Sequence, residues 1–184
     1  MVENGENEND IVNEIINPKG YLASQFGFSQ TGEYMLDKVI KPRLEEIGVE
    51  ICDPFFECGM VLDLDHANSM DKYDDRMTYF KEFSAKVPLI NNDLMVESDF
   101  MMAILDGGHT VDDGTASEIG FFYGVHEANH PIFALRTDWR LGENIAVSIN
   151  PQILGYIVHS EGALCNSLDE WFVAIERWVN IFRD

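Results

Sequence analysis

Basic residues are scarce in this chain. Twelve Lys and Arg face 33 Asp and Glu across 184 residues, a formal charge of -21 with a pI near 4.3. A surface that acidic repels phosphate backbones and anionic lipid at long range, which excludes nucleic-acid binding and membrane docking as working readings. Long apolar runs are missing too; nothing approaches the roughly 18 consecutive apolar residues of a membrane span. The opening MVENGENEND is acidic and polar where a signal peptide would be basic and then apolar, so a cytoplasmic protein is expected. Cysteine is equally sparse. Cys52, Cys58 and Cys165 are too few and too far apart for a disulfide framework, no C-x-x-C pair occurs, and buried reduced thiols are expected. What remains is an ordinary globular mixture, 46% hydrophobic and 24% charged, of single-domain size.

Residues 1–17 read as a mobile acidic extension, with only Ile11, Val12, Ile15 and Ile16 apolar. The domain proper occupies residues 18–184. Tyr21-Leu22-Ala23 reads as a first strand, followed by the loop Ser24-Gln25-Phe26-Gly27. A helix from about Glu33 to Ile47 ends at Gly48, and Pro42 kinks or splits it. Val49–Cys52 reads as a second strand. Residues 56–84, rich in Asp, Met and aromatics without a clean period, read as a lid or insertion. A helix around Asn92–Glu97 precedes Phe100–Leu105, whose continuous apolar run suits a strand buried on both faces. Pro131–Leu135 reads as a fourth strand, Gly155–Val158 as a fifth, and a closing helix starts at Leu168. This alternation implies an α/β three-layer, flavodoxin-like fold with a parallel sheet of about five strands. Its ligand crevice should lie beyond the strands' carboxyl ends at Ser24, Asp53, Asp106 and Arg136.

Chemistry concentrates in DGGHTVDDGTASEIG, residues 106–120. A strand ends in a carboxylate, a Gly-rich loop turns, and a helix opens with Glu118 in its first turn. One reading is a capping box over Thr115-Ala116-Ser117-Glu118, Thr115 as N-cap. The other uses the same geometry for chemistry: an oriented carboxylate among other carboxylates is what attack on a sugar anomeric carbon requires.

YLASQFGFS (21–29), ESDFMMAILDG (97–107), DDGTASEIG (112–120) and LRTDWR (135–140) stand in an order and spacing that resemble the nucleoside 2-deoxyribosyltransferase family. The resemblance implies transfer of 2-deoxyribose between nucleobases, without metal or organic cofactor. It implies that Glu118 is the nucleophile and that Tyr21 orients it. Asp99 and Asp112, with Asp113 adjacent, would contact base and sugar, and Asp99 or Asp112 would supply the leaving base's proton. Phe26, Asp106 and Gly114 complete the expected substrate contacts. The resemblance further implies a homo-oligomer in which a neighbour contributes an Asn, matched by Asn150 with Asn144 close by. The apolar stripe from Trp171 to Phe182 offers an interface. Family members that end soon after this Asn place a terminal carboxylate in the site; here the chain runs on to Asp184. Related deoxynucleotide N-hydrolases carry Ser near the start of the Gly loop, where Asp112 and Asp113 stand here. A nucleoside or nucleotide N-glycohydrolase is therefore the nearest rival, and a non-catalytic nucleotide-sensing module the rival from another class.

His126-Glu127-Ala128-Asn129-His130 matches H-E-x-x-H. Pro131 follows at once and opposes the continuous helix that zinc ligation needs, so the zinc reading is set aside. Arg136, Asp138 and Arg140 form either a surface ion pair or a device that orders the loops.

Overall fold

The computed structural model describes residues 16–108, 110–140 and 148–184. Most of the acidic extension, residues 1–15, lies outside the described residues, as does Asn144.

Strand β1 (Lys19–Ser24) leads through a short 3-10 turn into helix α1 (Gln30–Met35). Ser29 caps α1, its hydroxyl accepting the Gly32 N–H at 3.1 Å. A widened π-helical turn, Leu36–Ile40, joins α1 to α2 (Lys41–Ile47). Pro42 has no N–H to give the preceding turn, which accounts for the break expected there without ending the helical path. Gly48, at φ 89°, closes α2 in the left-handed region. Next come β2 (Glu50–Cys52) and the helices α3 (Pro54–Val61), α4 (Leu64–Ser69) and α5 (Tyr73–Val96). The unreadable stretch is thus a helical excursion, and the helix expected at Asn92–Glu97 is the end of α5.

Strand β3 (Phe100–Ile104) is buried at every residue. After it come α6 (Asp113–His126), β4 (Ile132–Leu135), α7 (Pro151–His159), β5 (Ala163–Cys165) and α8 (Leu168–Arg183). The fifth strand is not where the sequence places it. Gly155–Val158 is helical, inside α7: Asn150 caps it, Pro151 opens it, and Ile153, Leu154 and Ile157 recur at helical spacing. The fifth strand is the three-residue Ala163–Cys165, too short to show a pattern of its own.

The five strands are all parallel in the order β2-β1-β3-β4-β5, so the chain reverses direction across the sheet between β1 and β3. Alternate residues serve opposite faces. Leu22, Phe100, Met102, Ile104, Phe133 and Leu135 pack with Ile40, Leu44 and the α8 residues Trp171, Ile175 and Val179. Tyr21, Ala23, Met101, Ala103, Ile132 and Ala134 face Met95, Ile119, Phe122 and Ile157. The α8 stripe is therefore spent within one chain: Trp171, Ile175 and Val179 are fully buried, and the Trp171 indole donates to the Phe133 carbonyl. The stripe's end at Phe182 stays exposed, but the stripe as a whole is core and not the subunit interface expected of it. No helix among the described residues is long and apolar enough to cross a membrane.

Candidate active site

The sheet's carboxyl edge is fastened before any ligand is considered. Asp106, just past β3, is buried and accepts from the Thr137 and Asp138 backbone N–H groups and from the Thr137 hydroxyl. Arg136, also buried, donates to the Leu105 and Gly108 carbonyls, and Arg140 reaches Gly108 while pairing with Asp138. The loop-ordering reading of these residues is the one the geometry takes. That pairing with Arg140 holds the Asp138 carboxyl well below its usual range.

Beyond this edge lies a cavity of about 420 Å³. One side is formed by Ser24 at the end of β1 and by Asp112, Gly114, Thr115 and Glu118 of the α6 start. The other is built by the helical excursion: Phe55, Cys58 and Leu62 around α3, and Phe83, Val87 and Asn91 on α5. The walls are thus apolar with a few convergent polar groups, the usual make-up of a small-molecule site. Phe28 and Phe55 meet edge to face at 4.7 Å between ring centres.

Glu118 is the focal group. Helix α6 is capped one turn earlier than the sequence suggests. Asp112, and not Thr115, is the N-cap, its Oδ2 accepting the Thr115 N–H at 3.0 Å. Glu118 therefore sits in the second turn and does not reach back to a cap; it turns inward to the sheet. The Tyr21 hydroxyl donates to Glu118 Oε1 at 2.7 Å, and Asn91 Nδ2 donates to the same oxygen at 3.1 Å. Burial raises the Glu118 carboxyl above its ordinary value, the Tyr21 hydrogen bond opposes this, the Asp112 charge adds to it, and the Asn91 bond opposes it again. Tyr21 is itself pushed far up, by burial first and by the Glu118 charge second, so its hydroxyl keeps the proton it donates.

The family model for nucleoside 2-deoxyribosyltransferases matches residues 21–168. The chain belongs to this family. Among solved structures, it is similar to a 2-desoxiribosyltransferase from Leishmania mexicana, at 15% identity and a TM-score of 0.55, covering 87% of this chain and 97% of that one. It is also similar to a 2-deoxyribosyltransferase from Bacillus psychrosaccharolyticus, at 19% identity and a TM-score of 0.51, covering 83% and 88%. At such identities the likeness is one of fold. No curated protein matches the sequence significantly.

Of the residues that the family resemblance singles out, the structure brings Glu118, Asp112 and Gly114 to one cavity, with Tyr21 fully buried behind Glu118 and bonded to it. Phe26 lines a neighbouring recess of about 430 Å³ with Gln25, Ser29 and Gly107. Asp113 faces outward and caps the N–H of Gly114. The Asp106 carboxylate is taken up by the Thr137–Asp138 turn, which leaves it a loop anchor. Asn150 caps α7 and does not line the cavity. Asp99 is placed elsewhere: it precedes β3, where its carboxylate accepts the Lys19 N–H at 2.8 Å at the amino edge of the sheet. The cavity opens at the opposite edge. The paired imidazoles of His126 and His130 do not fit the zinc pattern. Helix α6 ends at His126, Glu127 takes a positive φ of 54°, and His126 Nε2 bonds the Met95 carbonyl at 2.9 Å.

Asn91 and the aromatic wall were not legible beforehand. Asn91 meets Glu118 across 27 residues and between two helices, and nothing in its neighbourhood marks it.

Because burial raises the Glu118 carboxyl, the folded protein carries a cost once the unfolded chain would ionise it. The contribution of this group is most favourable below its ordinary value of 4.5 and is lost as pH rises through the elevated folded value. Glu118→Gln, whose carbonyl can still accept from Tyr21 and Asn91, is expected to melt higher than the parent at pH 7–8. The difference should shrink toward pH 4, read by thermal unfolding across that range. A variant melting lower at every pH would contradict the assignment.

Proposed function

We propose that the chain transfers 2-deoxyribose between nucleobases, with Glu118 as the nucleophile. The observation that carries this reading is the Glu118 carboxylate on the cavity wall, with Tyr21 and Asn91 both donating to Oε1. No partner among the described residues occupies Oε2. In the first half-reaction Oε2 attacks C1′, the C1′–N bond breaks through an oxocarbenium-like state, and the bond pair leaves with the base. Asp112, the other carboxyl on the cavity wall, supplies the departing base's proton. A second base then attacks C1′, returns that proton to Asp112 and frees Glu118, which gives ping-pong kinetics. The aromatic side of the cavity suits a planar base, the carboxylate side a sugar.

Incubation with deoxyadenosine and free cytosine, read by chromatography, should yield deoxycytidine and adenine. Free deoxyribose in its place would establish hydrolysis, and unchanged substrate the sensing module. Glu118→Gln should lower turnover by about 10³-fold or more while remaining folded. A 2′-fluoro-2′-deoxynucleoside should leave a sugar mass on the peptide bearing Glu118; an unlabelled peptide in an active enzyme would sink the covalent route.

The substrate is inferred to be a neutral nucleoside. Among the described residues lining the cavity there is no Lys, Arg or His, whereas Asp112 and Glu118 are both there. Lys41, the nearby cation, is committed to Asp53 and Asp37. A phosphate dianion finds no cation there and is repelled by the Glu118 carboxylate, so kcat/KM for a deoxynucleoside 5′-monophosphate at low salt should fall at least about tenfold below that of the nucleoside. Equal or higher efficiency on the monophosphate would reverse the inference.

The reading includes a homo-oligomer in which Asn150, exposed on its own chain, serves a neighbour's cavity. Light scattering should show more than one chain per particle; a fully active monomer would reject this.

A further inference from the structure

Cys58 stands on α3 at the cavity wall, and its thiol donates to Asn91 Oδ1 at 3.4 Å. Asn91 in turn gives Nδ2 to Glu118 Oε1. A carboxamide fits its site in two orientations of nearly equal shape, related by a half turn about its last bond. Only one of them offers a donor to Glu118; the other sets Oδ1 against a carboxylate oxygen and leaves Nδ2 facing sulfur, a weak acceptor. The thiol therefore discriminates between the two. Burial pushes it up first, and the charges of Glu118, Glu57 and Asp53 push further in the same direction, so it keeps its proton at neutral pH and remains a donor.

We propose that Cys58 and Asn91 are positioning residues acting in series: Cys58 sets the amide of Asn91, Asn91 and Tyr21 together anchor Glu118 Oε1, and Oε2 is thereby left as the attacking atom. This rests on the reading of Glu118 as nucleophile. The two anchors arrive from opposite sides of the site. Tyr21 belongs to the buried β1 strand, whereas Asn91 and Cys58 belong to the helical excursion between β2 and β3. The excursion thus does more than wall off the cavity: it takes part in holding the ionised carboxylate, since a donor to Oε1 stabilises the charged form.

The test is an NMR titration of Glu118 in the full chain labelled with 13Cδ-glutamate, assigned with Glu118→Gln and accompanied by pH profiles of kcat/KM. Asn91→Leu removes the donor at similar volume and should raise the Glu118 midpoint by about one pH unit, with the acid limb of kcat/KM following and kcat down about tenfold. Cys58→Ala should shift the midpoint in the same direction by less, and should add nothing once Asn91 is Leu. Cys58→Ser, which keeps a donor at the cost of a shorter bond, should lie nearer the parent than Cys58→Ala. Equal midpoints for Cys58→Ser and Cys58→Ala, or equal shifts from Cys58→Ala in both backgrounds, would overturn the relay and leave the thiol a packing group. The titration needs no turnover, so a parent protein without transferase activity would sink the transfer reading while the relay is still judged on its own.

Discussion

The site depends on one hydrogen bond, from the Tyr21 hydroxyl to Glu118, joining residues 97 positions apart. It ties the sheet to helix α6 at a place where both partners are mostly buried. Hydrogen bonds to ionised groups are roughly twice as strong as neutral ones, and a buried carboxylate without donors would simply take up a proton. Everything nearby serves to keep this pair in place. Parallel pairing sets Tyr21 beside Met101 on one side and Cys52 on the other, so the phenol can only rise from the face that α6 covers. Asp112 fixes where α6 begins, and so which residue of the helix reaches the phenol.

The layered architecture was legible in the sequence because its strands are strongly patterned. Phe100–Leu105 announces a strand covered on both faces, and the closing helix shows its stripe at Trp171, Ile175 and Val179. Elsewhere the local pattern is either absent or shared between two structures. Ala163–Cys165 has only three residues, while the apolar run just before it suits helix and strand alike; the cap at Asn150 and the Pro151 start decide for helix. Residues 54–96 hid three helices because much of their surface remains open, with Phe56, Met60, Leu64 and Leu89 all exposed. Such helices have little need of a clean apolar face.

For the candidate site, the Gly-loop segment disclosed the carboxylates but not their division of labour. Asp106 and Asp112 look alike in sequence, yet one is saturated by the Thr137–Asp138 turn and the other borders the cavity. Asp99 was drawn into the site by resemblance alone, and the strand direction carries it to the other edge. Cys58 and Asn91 reach the site through tertiary contacts, which no local spacing records.

The cavity has two separately encoded halves. The sheet and the start of α6 hold the oxygens, whereas Phe55, Leu62, Phe83 and Val87 come from a single continuous excursion. Exchanges among these four side chains alter the shape and breadth of the aromatic slot without touching the Tyr21–Glu118 pair. Under the proposed transfer reading, preference for one base or another is therefore set apart from the bond-breaking step, and Asn91 is where the two halves meet.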